Sequence, residues 1–376
     1  MRNGHLTTTE LVVRNGHLTA TELVVRNAHL TATELVVRNA HLTTTNFIRG
    51  VNSSILQSQI QNPKSSHPKS QIQMAILTIL GGGAWGSALA NLATKKGNQV
   101  HLWSRRSSFE LDSVITSTDI VVSAVSMKGV AATVDRLLAL QLSPNTIIVT
   151  VTKGLDPATT RTPSQIWQNA FPHNSIVVLS GPNLSEEIQQ GLPAATVAAS
   201  FDLSAAKQVQ NTFSSETFRV YVNQDPLGTE LGGTLKNVFA IAAGVCDGLQ
   251  LGTNAKSALL TRALPEMIRV GVRLEARAET FYGLSGLGDL LATCNSSLSR
   301  NYRVGFGLAQ GKSLEQILHE LQSTAEGVNT TNVLIDLANQ RGIEVPVSRQ
   351  VYRLLNGEIT PKQAVLALME RALKPE

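Results

Sequence analysis

Cysteine, aromatic residues and long apolar runs are all scarce in this chain of 376 residues. Two cysteines, Cys246 and Cys294, are too few for a disulfide scaffold and lack the paired spacing of a zinc site, so we predict buried thiols in a reducing compartment. No segment approaches eighteen uninterrupted apolar residues, which excludes a membrane span and predicts a soluble, cytoplasmic protein. The chain is nevertheless 42% hydrophobic, enough for two domains with real cores, so a wholly disordered protein is excluded as well.

The net charge of +5 belongs mostly to the N-terminal segment. Residues 1–73 carry seven Arg and Lys against three Glu, a net charge of +4, which leaves only +1 for residues 74–376. A protein that binds nucleic acid with its folded body would carry the basic excess there. We therefore expect no nucleic-acid partner.

Residues 1–50 consist of tandem repeats of twelve residues. Residues 2–13, 14–25 and 26–37 follow the pattern RN(G/A)HLT(T/A)TELVV, and residues 38–49 form a diverged fourth copy. So short a unit offers one small apolar patch to bury, so we predict a disordered or weakly structured segment. A histidine recurs in each repeat, but imidazoles so far apart are poorly placed as metal ligands, and we predict no metal site.

Residues 51–73 are rich in Ser, Gln and Asn, which is typical of a linker, and Met74 then begins a strand pattern. Two hypotheses account for the repeats. Either translation begins at Met74 and the repeats are upstream sequence read in frame, or the repeats are an appended tail. N-terminal sequencing of the native protein separates them, because recovery of any repeat peptide would exclude the internal start.

Strand and helix patterns alternate over residues 74–222. A β-branched apolar run predicts a strand at 75–80, and further strand patterns follow at 99–103, 119–125, 146–152, 175–180, 195–200 and 218–222. The class is therefore α/β, with an N-terminal Rossmann-type domain built on a doubly wound sheet. Over residues 223–376 amphipathic helices dominate, including a long one at 227–246, and predict a C-terminal all-α substrate domain. Pro265 predicts a kink or a boundary in one of these helices.

The first predicted strand leads into a glycine-rich turn. Gly81, Gly83 and Gly86 form a G-x-G-x-x-G pattern between a strand and a helix, the context in which such glycines bind the pyrophosphate of a dinucleotide. An acidic residue that binds the ribose hydroxyls of NAD usually follows the second strand. Here Arg105 and Arg106 stand in its place, which favours NADP(H) while NAD(H) remains an alternative. The two arginines could also form a solvated basic turn.

Polar residues cluster after two strands and on the long helix, in Thr152-Lys153-Gly154, Ser180-Gly181-Pro182-Asn183 and the segment 230–237. The carboxyl ends of parallel strands are where α/β sheets bind ligands. Lys236 lies on an otherwise apolar stretch of helix, so its side chain either reaches solvent or has a function. A buried lysine with a lowered pKa could exchange a proton with a carbonyl oxygen or an alcohol.

These motifs resemble bacterial-type NAD(P)-dependent glycerol-3-phosphate dehydrogenase. The resemblance covers essentially all of residues 74–376 and rests on GGGAWGSALA, VTKGLDP, LSGPNLSEEI, ELGGTLKNVFAIAAGVCDGLQLGTNAKSALLTRAL, GLSGLGDLLATCNSSLSRNYRVG and AEGVNTT, which occur in the family's order. It implies a Rossmann domain joined to a helical domain. It also implies reversible reduction of dihydroxyacetone phosphate to sn-glycerol 3-phosphate for glycerophospholipid synthesis, and it suggests a homodimer.

The resemblance assigns roles to individual residues. Lys236 matches the family's catalytic proton donor and acceptor. Substrate-binding positions are implied for Lys153, Gly181, Asn183, Lys236, Asp289, Ser299, Arg300 and Asn301. Asn183 stands where many relatives have Ser or Thr. Asp289 could instead cap a helix after Gly288.

Cofactor-binding positions are implied as well. They are Gly81, Gly83, Ala84, Trp85, Gly86, Arg105, Arg106, Ser185, Thr324 and Glu326, together with Lys153 and Arg300, which the family shares between its two ligands. The predicted site therefore lies in a cleft between the two domains.

Two other interpretations remain open at this stage. A β-hydroxyacid or keto-acid reductase would also combine a Rossmann domain, a helical domain and a lysine on the first long helix. A non-catalytic dinucleotide sensor would bind cofactor without turnover, but it does not account for Lys236, Asp289 and the Ser-Arg-Asn cluster occurring together.

Overall fold

The computed structural model describes residues 9–14, 17–22, 74–322 and 324–372, which fall into two compact units, Met1–Ile72 and Gln73–Glu376. In the first unit, strands β1 (Thr9–Arg14) and β2 (His17–Glu22) pair antiparallel. Asn-Gly, the dipeptide most favourable to a two-residue hairpin, separates them in the sequence. A lone two-stranded hairpin is only marginally stable in water. The predictions for the later repeats, the histidine side chains and the linker 51–73 lie outside the described residues.

A mixed sheet dominates residues 74–223 of the second unit. Its strands are β3 (Ile76–Leu80), β4 (Gln99–Trp103), β5 (Ile120–Ser123), β6 (Ile147–Thr150), β7 (Ile176–Ser180), β8 (Ala194–Ala199) and β9 (Phe218–Asn223). Their order is β4-β3-β5-β6-β7-β8-β9, and neighbours are parallel except for the antiparallel pair β7–β8. Every predicted strand is present, so the Rossmann-type prediction is confirmed.

Helices cover both faces of this sheet. They are α1 (Ala84–Lys95), α2 (Asp112–Ile115), α3 (Met127–Ala139), α4 (Pro163–Ala170), α5 (Ser185–Gln189) and α6 (Leu203–Phe213). Alternate strand residues enter separate cores on the two faces: Ile120 and Val122 belong to one and Val121 to the other. Burial on both faces explains why the strands read as continuous apolar runs rather than alternating ones.

The remaining described chain is helical. Its elements are α7 (Pro226–Gly248), α8 (Gly252–Arg273), a 3₁₀ helix (Ala278–Tyr282), a π-helical turn (Leu284–Gly288), α9 (Asp289–Cys294), α10 (Arg300–Ala309), α11 (Leu314–Leu321), α12 (Glu326–Arg341), α13 (Pro346–Leu355) and α14 (Pro361–Met369). The prediction of an all-α C-terminal part is confirmed.

Helix α7 lies at the centre of this part and is buried along most of its length. Glycines bring it against α10, because a Cβ added to Gly305 would lie 1.8 Å from the carbonyl oxygen of Ile241. Helix α8 continues through Pro265, so of the two outcomes predicted there, a kink or a boundary, the boundary does not occur. A proline removes one backbone hydrogen bond, and packing of the helix against its neighbours can outweigh that loss.

The reversed direction of β8 and β9 determines where α7 begins. Asn223, the last residue of β9, pairs with Ala199, which in turn pairs with Val178 in the middle of β7. Helix α7 then runs alongside β7, and a Cβ on Gly233 would lie 2.3 Å from Ser180 Oγ at the carboxyl end of that strand. The next turn of the helix, which carries Lys236, therefore lies at the carboxyl edge of the sheet.

Two further predictions concern composition. Cys246 and Cys294 are both buried free thiols, as predicted. Burial raises the pKa of the Cys294 thiol to about 12, so this group stays protonated at neutral pH. Among the described helices none is both long and apolar enough to cross a membrane.

Candidate active site

The glycine loop after β3 is built from backbone that leaves no room for most side chains. Gly81 has a φ of +119°, and a Cβ there would lie 2.5 Å from the carbonyl oxygen of Ala124. A Cβ on Gly86 would lie 2.0 Å from the carbonyl oxygen of Gly81. A Cβ on Gly83, in contrast, would meet nothing within 4 Å. The first and third glycines therefore permit the turn, and the second leaves open space at the N-terminus of α1, where a phosphate group is favoured.

A cleft of about 630 Å³ runs from this loop to the helical part of the same unit. It lies at the carboxyl ends of β3, β5, β6 and β7, the edge at which such sheets bind ligands. Of the predicted site residues, the cleft is lined by Gly83, Ala84, Trp85, Lys153, Asn183, Ser185, Lys236, Ser299, Arg300, Asn301, Thr324 and Glu326.

The other predicted residues lie around the cleft rather than on its wall. Gly81 and Gly86 shape the turn beneath it, and Gly181 accepts a hydrogen bond through its carbonyl oxygen from Lys153 Nζ at 3.3 Å. Arg105 and Arg106 are exposed in the turn after β4. That turn adjoins the glycine loop, because a Cβ on Gly82 would lie 3.6 Å from Ser104 Cβ. The structure thus brings the two arginines near the loop but not onto the cleft wall.

Two lysines share one buried carboxylate at the other end of the cleft. Lys153 Nζ lies 2.5 Å from Asp289 Oδ2, and Lys236 Nζ lies 2.9 Å from Asp289 Oδ1. Lys236 also donates to Thr293 Oγ1 at 2.5 Å. Only 8% of the Lys236 surface is exposed and 2% of that of Asp289, so the lysine does not reach out to solvent. The buried group is held in place by its carboxylate partner.

Burial lowers the pKa of Lys236 from 10.5 to about 8. The carboxylate of Asp289 opposes this effect by favouring the ammonium form, whereas the nearby charge of Lys153 adds to it. Burial alone would raise the pKa of Asp289, but the two lysines outweigh it and hold that pKa below its usual value. At neutral pH the cluster therefore holds an ionised carboxylate and a lysine that is close to losing its proton.

Asp289 is the first residue of α9, directly after the π-helical turn, and its N-cap is Gly288. Its carboxylate accepts bonds from the lysines and from Thr293 Oγ1, at 3.1 Å. These contacts do not favour the alternative that Asp289 serves only to cap a helix. π-helical turns occur often at functional sites, and here one precedes the shared carboxylate.

The Ser-Arg-Asn segment forms the start of α10. Ser299 is the N-cap, and its Oγ accepts from the backbone N–H of Tyr302 at 3.2 Å. Asn301 Oδ1 accepts from the backbone N–H of Gly327 at 2.9 Å, which ties α10 to the first turn of α12. Arg300 stabilises the ionised form of Glu326, although burial raises the pKa of that carboxyl overall. This corner of the cleft combines a helix N-terminus with a guanidinium group, both of which favour an anion.

Asn183 and Ser185 line the cleft between these two ends. Asn183 Nδ2 donates to Thr196 Oγ1 at 2.9 Å, while its Oδ1 is buried and has no hydrogen-bond partner among the described residues. Ser185 begins α5, whose Gln189 donates to the carbonyl oxygen of Ala84 at 3.0 Å. This contact fixes α5 against the glycine loop.

Several residues of the site were missed in the sequence. Thr293 follows Asp289 by one helical turn, so the helical spacing within GDLLATC was a usable signal for it. Thr152 and Asn237 also line the cleft and belong to the polar clusters singled out in the sequence, whereas Ser126, Leu298 and Arg303 line it without having been assigned a role. Within the described ranges no group of His, Cys, Asp and Glu side chains could hold a metal ion.

Comparisons with known proteins agree with this arrangement. The family model described as NAD-dependent glycerol-3-phosphate dehydrogenase N-terminus matches residues 76–109 and 106–206, and the one described as its C-terminus matches residues 225–366. The curated glycerol-3-phosphate dehydrogenase [NAD(P)+] of Synechocystis sp. is 63% identical over 300 residues, which is 80% of this chain and 95% of the relative. The one of Nostoc sp. is 62% identical over 305 residues, covering 81% of this chain and 99% of the relative.

A solved structure shares the architecture. The glycerol-3-phosphate dehydrogenase of Coxiella burnetii superimposes with a TM-score of 0.76 at 33% identity, covering 79% of this chain and 99% of that one. The sheet and the helical part thus have the fold of a solved glycerol-3-phosphate dehydrogenase. On its sequence, its fold and the residues in its cleft, this chain belongs to the NAD-dependent glycerol-3-phosphate dehydrogenase family.

Proposed function

We propose that the protein catalyses the reversible NAD(P)H-dependent reduction of dihydroxyacetone phosphate to sn-glycerol 3-phosphate. The observation that carries the proposal is the buried Lys236–Asp289–Lys153 cluster, which lies in the same cleft as an open glycine loop. A ketone reduction needs a proton donor beside the carbonyl oxygen and a coenzyme site within reach of the carbonyl carbon. The two ends of the cleft supply these two requirements.

The glycine loop fits a dinucleotide. Space at Gly83 and the N-terminus of α1 suit the pyrophosphate, and Ala84 and Trp85 continue the wall. When bound, the nicotinamide coenzyme supplies the hydride for C2 of the substrate in one direction and accepts it in the other. Arg105 and Arg106 lie where an adenosine 2′-phosphate would need positive charge, so NADP(H) is favoured and NAD(H) is an alternative coenzyme.

Lys236 moves the proton. In reduction its ammonium group donates a proton to the carbonyl oxygen at C2, which becomes the hydroxyl of the product, and the lysine is left neutral. In oxidation the neutral amine takes the hydroxyl proton back. A pKa of about 8 keeps both forms of Lys236 accessible near neutral pH, as a reversible proton donor requires.

Asp289 and Lys153 orient this lysine. The carboxylate restrains the Lys236 ammonium from one side, and Thr293 accepts a second hydrogen bond from it. Lys153 pairs with the second carboxylate oxygen of Asp289. Together with Gly181 and Asn183, it lies beside the position that we propose for the polar end of the substrate. Two ammonium groups around one carboxylate leave one net positive charge for an anionic substrate.

The phosphate group of the substrate belongs at the start of α10. Ser299, Arg300 and Asn301 present a helix N-terminus and a fork of guanidinium donors to the cleft. Glu326 and Thr324 line the neighbouring wall, where the coenzyme is expected to reach, and Ser185 lies opposite. Arg300 is thus positioned to contact both ligands.

The wider setting follows from the same activity. We place the domain boundary between residues 222 and 223, one residue before the end of β9 and three before the start of α7. The product would supply glycerophospholipid synthesis from the cytoplasm. We expect a homodimer and no nucleic-acid partner.

The test is NADPH- and NADH-dependent reduction of dihydroxyacetone phosphate, with Lys236→Met measured beside the unchanged protein. Oxidation of the coenzyme that needs the phosphate group and falls by about 10³-fold in the variant is the expected result. The matched control is Lys312→Met, because Lys312 pairs with Glu320 on the surface and should leave the rate unchanged.

Two other outcomes would redirect the assignment. Equal turnover of dihydroxyacetone and dihydroxyacetone phosphate would reject the role of Arg300 and lead to assays with keto acids. Coenzyme binding without turnover of any of these substrates would favour a dinucleotide sensor.

A further inference from the structure

The segment that carries Lys153 has no regular secondary structure. Residues 151–162, which we call the Lys153 loop, connect the end of β6 to the start of α4. A lysine on such a loop needs outside contacts if its ammonium group is to stay within 2.5 Å of Asp289. Thr152 Oγ1 donates to the carbonyl oxygen of Val125 and Asn329 Nδ2 to that of Leu155, and helix α7 adds contacts near both ends of the loop.

Helix α7 contacts the first end of the loop next to Lys153. The Thr234 hydroxyl accepts a hydrogen bond from the backbone N–H of Gly154 at 3.1 Å, in a buried position. Gly233 allows this close approach, because a Cβ there would lie 3.2 Å from Lys153 Cε. The backbone beside Lys153 is therefore fixed by α7 itself.

Directly after the second end of the loop, the first turn of α4 is held by Glu230, one helical turn before Thr234. Glu230 Oε1 accepts from the backbone N–H of Ser164 at 2.9 Å, and the Ser164 hydroxyl donates to the other carboxylate oxygen. Glu230 is only 2% exposed, and burial raises its pKa to about 7. At the start of α4, Gln165 Oε1 accepts from the backbone N–H of Thr162 at 3.0 Å, and Glu230 satisfies the N–H of Ser164, which the helix itself leaves without a partner.

We infer that Glu230 and Thr234 are positioning residues, which clamp the two ends of the Lys153 loop onto α7 and so fix the Lys153 ammonium against Asp289. The inference rests on the proposed function, in that it concerns the lysine cluster of that site. Lys236 lies on the same helix, half a turn beyond Thr234. One rigid helix therefore carries one of the two lysines and holds the loop that carries the other.

The contacts of Glu230 and Thr234 affect how precisely the two lysines are placed. Lys153 and Lys236 approach the same carboxylate from different segments of the chain, and a shift of about 1 Å at a reacting centre can cost about 10²-fold in rate. Fixing both lysines to α7 keeps their separation constant when other parts of the molecule move. A purely stabilising role for Glu230 and Thr234 would have no such link to Lys153.

Substitutions at Thr234 separate these roles. Thr234→Val keeps the shape and removes the hydroxyl, and we expect kcat/KM for dihydroxyacetone phosphate to fall about five- to tenfold, as for one lost buried hydrogen bond. Thr234→Ser should restore most of the activity. The matched control is Thr229→Val on the same helix, because the Thr229 hydroxyl is equally buried but has no partner among the described residues.

The decisive measurement is a double-mutant cycle with Lys153→Met. If Thr234 acts through Lys153, Thr234→Val should lower kcat/KM little further in the Lys153→Met background. Glu230→Gln, which retains an acceptor for the Ser164 N–H, should lower kcat/KM about threefold alone and likewise lose its effect in that background. Thr229→Val should stay neutral in both.

Two results would overturn the inference. Full additivity of Thr234→Val with Lys153→Met would mean that the hydroxyl acts on something other than Lys153. Equal kcat/KM values for Thr234→Val and Thr229→Val would mean that the bond to Gly154 does not matter for turnover. The unchanged protein tests the proposed function separately, since its failure to reduce dihydroxyacetone phosphate would be seen before any variant is compared.

Discussion

At the glycine loop the cleft wall is backbone, whereas at the Lys236–Asp289 cluster it consists of charged side chains from separate segments. The loop is continuous in sequence and depends on atoms that are absent, since a Cβ at Gly81 or Gly86 would overlap backbone oxygens. The cluster joins α7, α9 and the Lys153 loop through ion pairs of 2.5 and 2.9 Å. One end of the cleft is thus specified by sterics and the other by electrostatics.

The two ends should therefore respond to different kinds of change. Added volume should damage the loop while altered charge or pH leaves it intact. The lysine cluster should behave in the opposite way, because its side chains are buried and mutually compensating. Substitutions at each end, and the pH dependence of turnover, would reveal this contrast.

Removal of the shared charge should have the largest effect. Asp289→Asn leaves two lysines in a buried position without their carboxylate, a change that costs about 3 kcal/mol when a buried pair is broken. We expect kcat/KM for dihydroxyacetone phosphate to fall by about 10²–10³-fold while the Kd for NADPH stays within about twofold. Asp135→Asn on the exposed face of α3 is the control for loss of one charge. Equal losses in substrate and coenzyme affinity would argue against two independent ends.

A larger side chain in the glycine loop should instead weaken coenzyme binding. A Cβ on Gly83 meets no protein atom, so Gly83→Ala should fold normally but weaken NADPH binding by about 10²-fold, because the methyl group occupies space for the pyrophosphate. Gly86→Ala should instead lower the free energy of unfolding by about 3 kcal/mol, since its methyl group would overlap the Gly81 carbonyl. Thermal unfolding and coenzyme titration distinguish the two. A fold lost in Gly83→Ala would contradict the assignment of that space to a ligand.

The pH dependence should report Lys236. Its pKa is lowered to about 8, so oxidation of glycerol 3-phosphate, which needs the neutral amine, should rise about tenfold per pH unit and level off above about 8. Reduction needs the ammonium form and should decline above the same pH. Glu230→Gln removes a carboxyl on α7 whose pKa is raised to about 7, and it should leave this inflection in place. If the inflection instead lies near pH 7 and disappears in Glu230→Gln, the titrating group is Glu230 and not Lys236.

The smallest effect is expected at the rim of the loop. Arg105→Ala and Arg106→Ala together should raise the KM for NADPH about tenfold and leave that for NADH nearly unchanged, because only NADPH carries the 2′-phosphate. Each single variant then identifies which guanidinium contributes more. Arg341→Ala, an exposed arginine at the end of α12, controls for net charge. Parallel changes for both coenzymes would mean that the arginines form only a basic turn.

The fold was largely predictable because its signals are local. The strand predicted at 99–103 is β4, with the bounds that the structure has, and the long amphipathic helix predicted at 227–246 is α7 (Pro226–Gly248). The direction of β8 was not predictable, since a buried strand reads the same whether its neighbour is parallel or antiparallel. Of the kink or boundary predicted at Pro265, the boundary does not occur, because packing of α8 outweighs the local signal of one proline.

The site was predictable where a motif or a family resemblance named the residue. Lys236 was also suspect on its own, as a charge within an apolar stretch of helix. Its bond to Thr293, the clamp of Glu230 on Ser164 and the sharing of Asp289 by two lysines depend on distances between segments far apart in the chain. Such distances are set by packing, and a single sequence carries no direct record of them.

Because β8 and β9 run opposite to β7, the position of Lys236 depends on how many residues separate it from the start of α7. The chain leaves the sheet at Asn223, level with Val178. Helix α7 must then run along the rest of β7 before it reaches the carboxyl edge of the sheet. From Pro226 to Lys236 the helix rises about 15 Å, and each added or deleted residue would turn the lysine by about 100° and shift it by about 1.5 Å. The ten-residue spacing between Pro226 and Lys236 therefore fixes how far along the helix, and on which side of it, the lysine lies. Natural variation in this protein should therefore tolerate side-chain changes between these two residues far better than changes in their number.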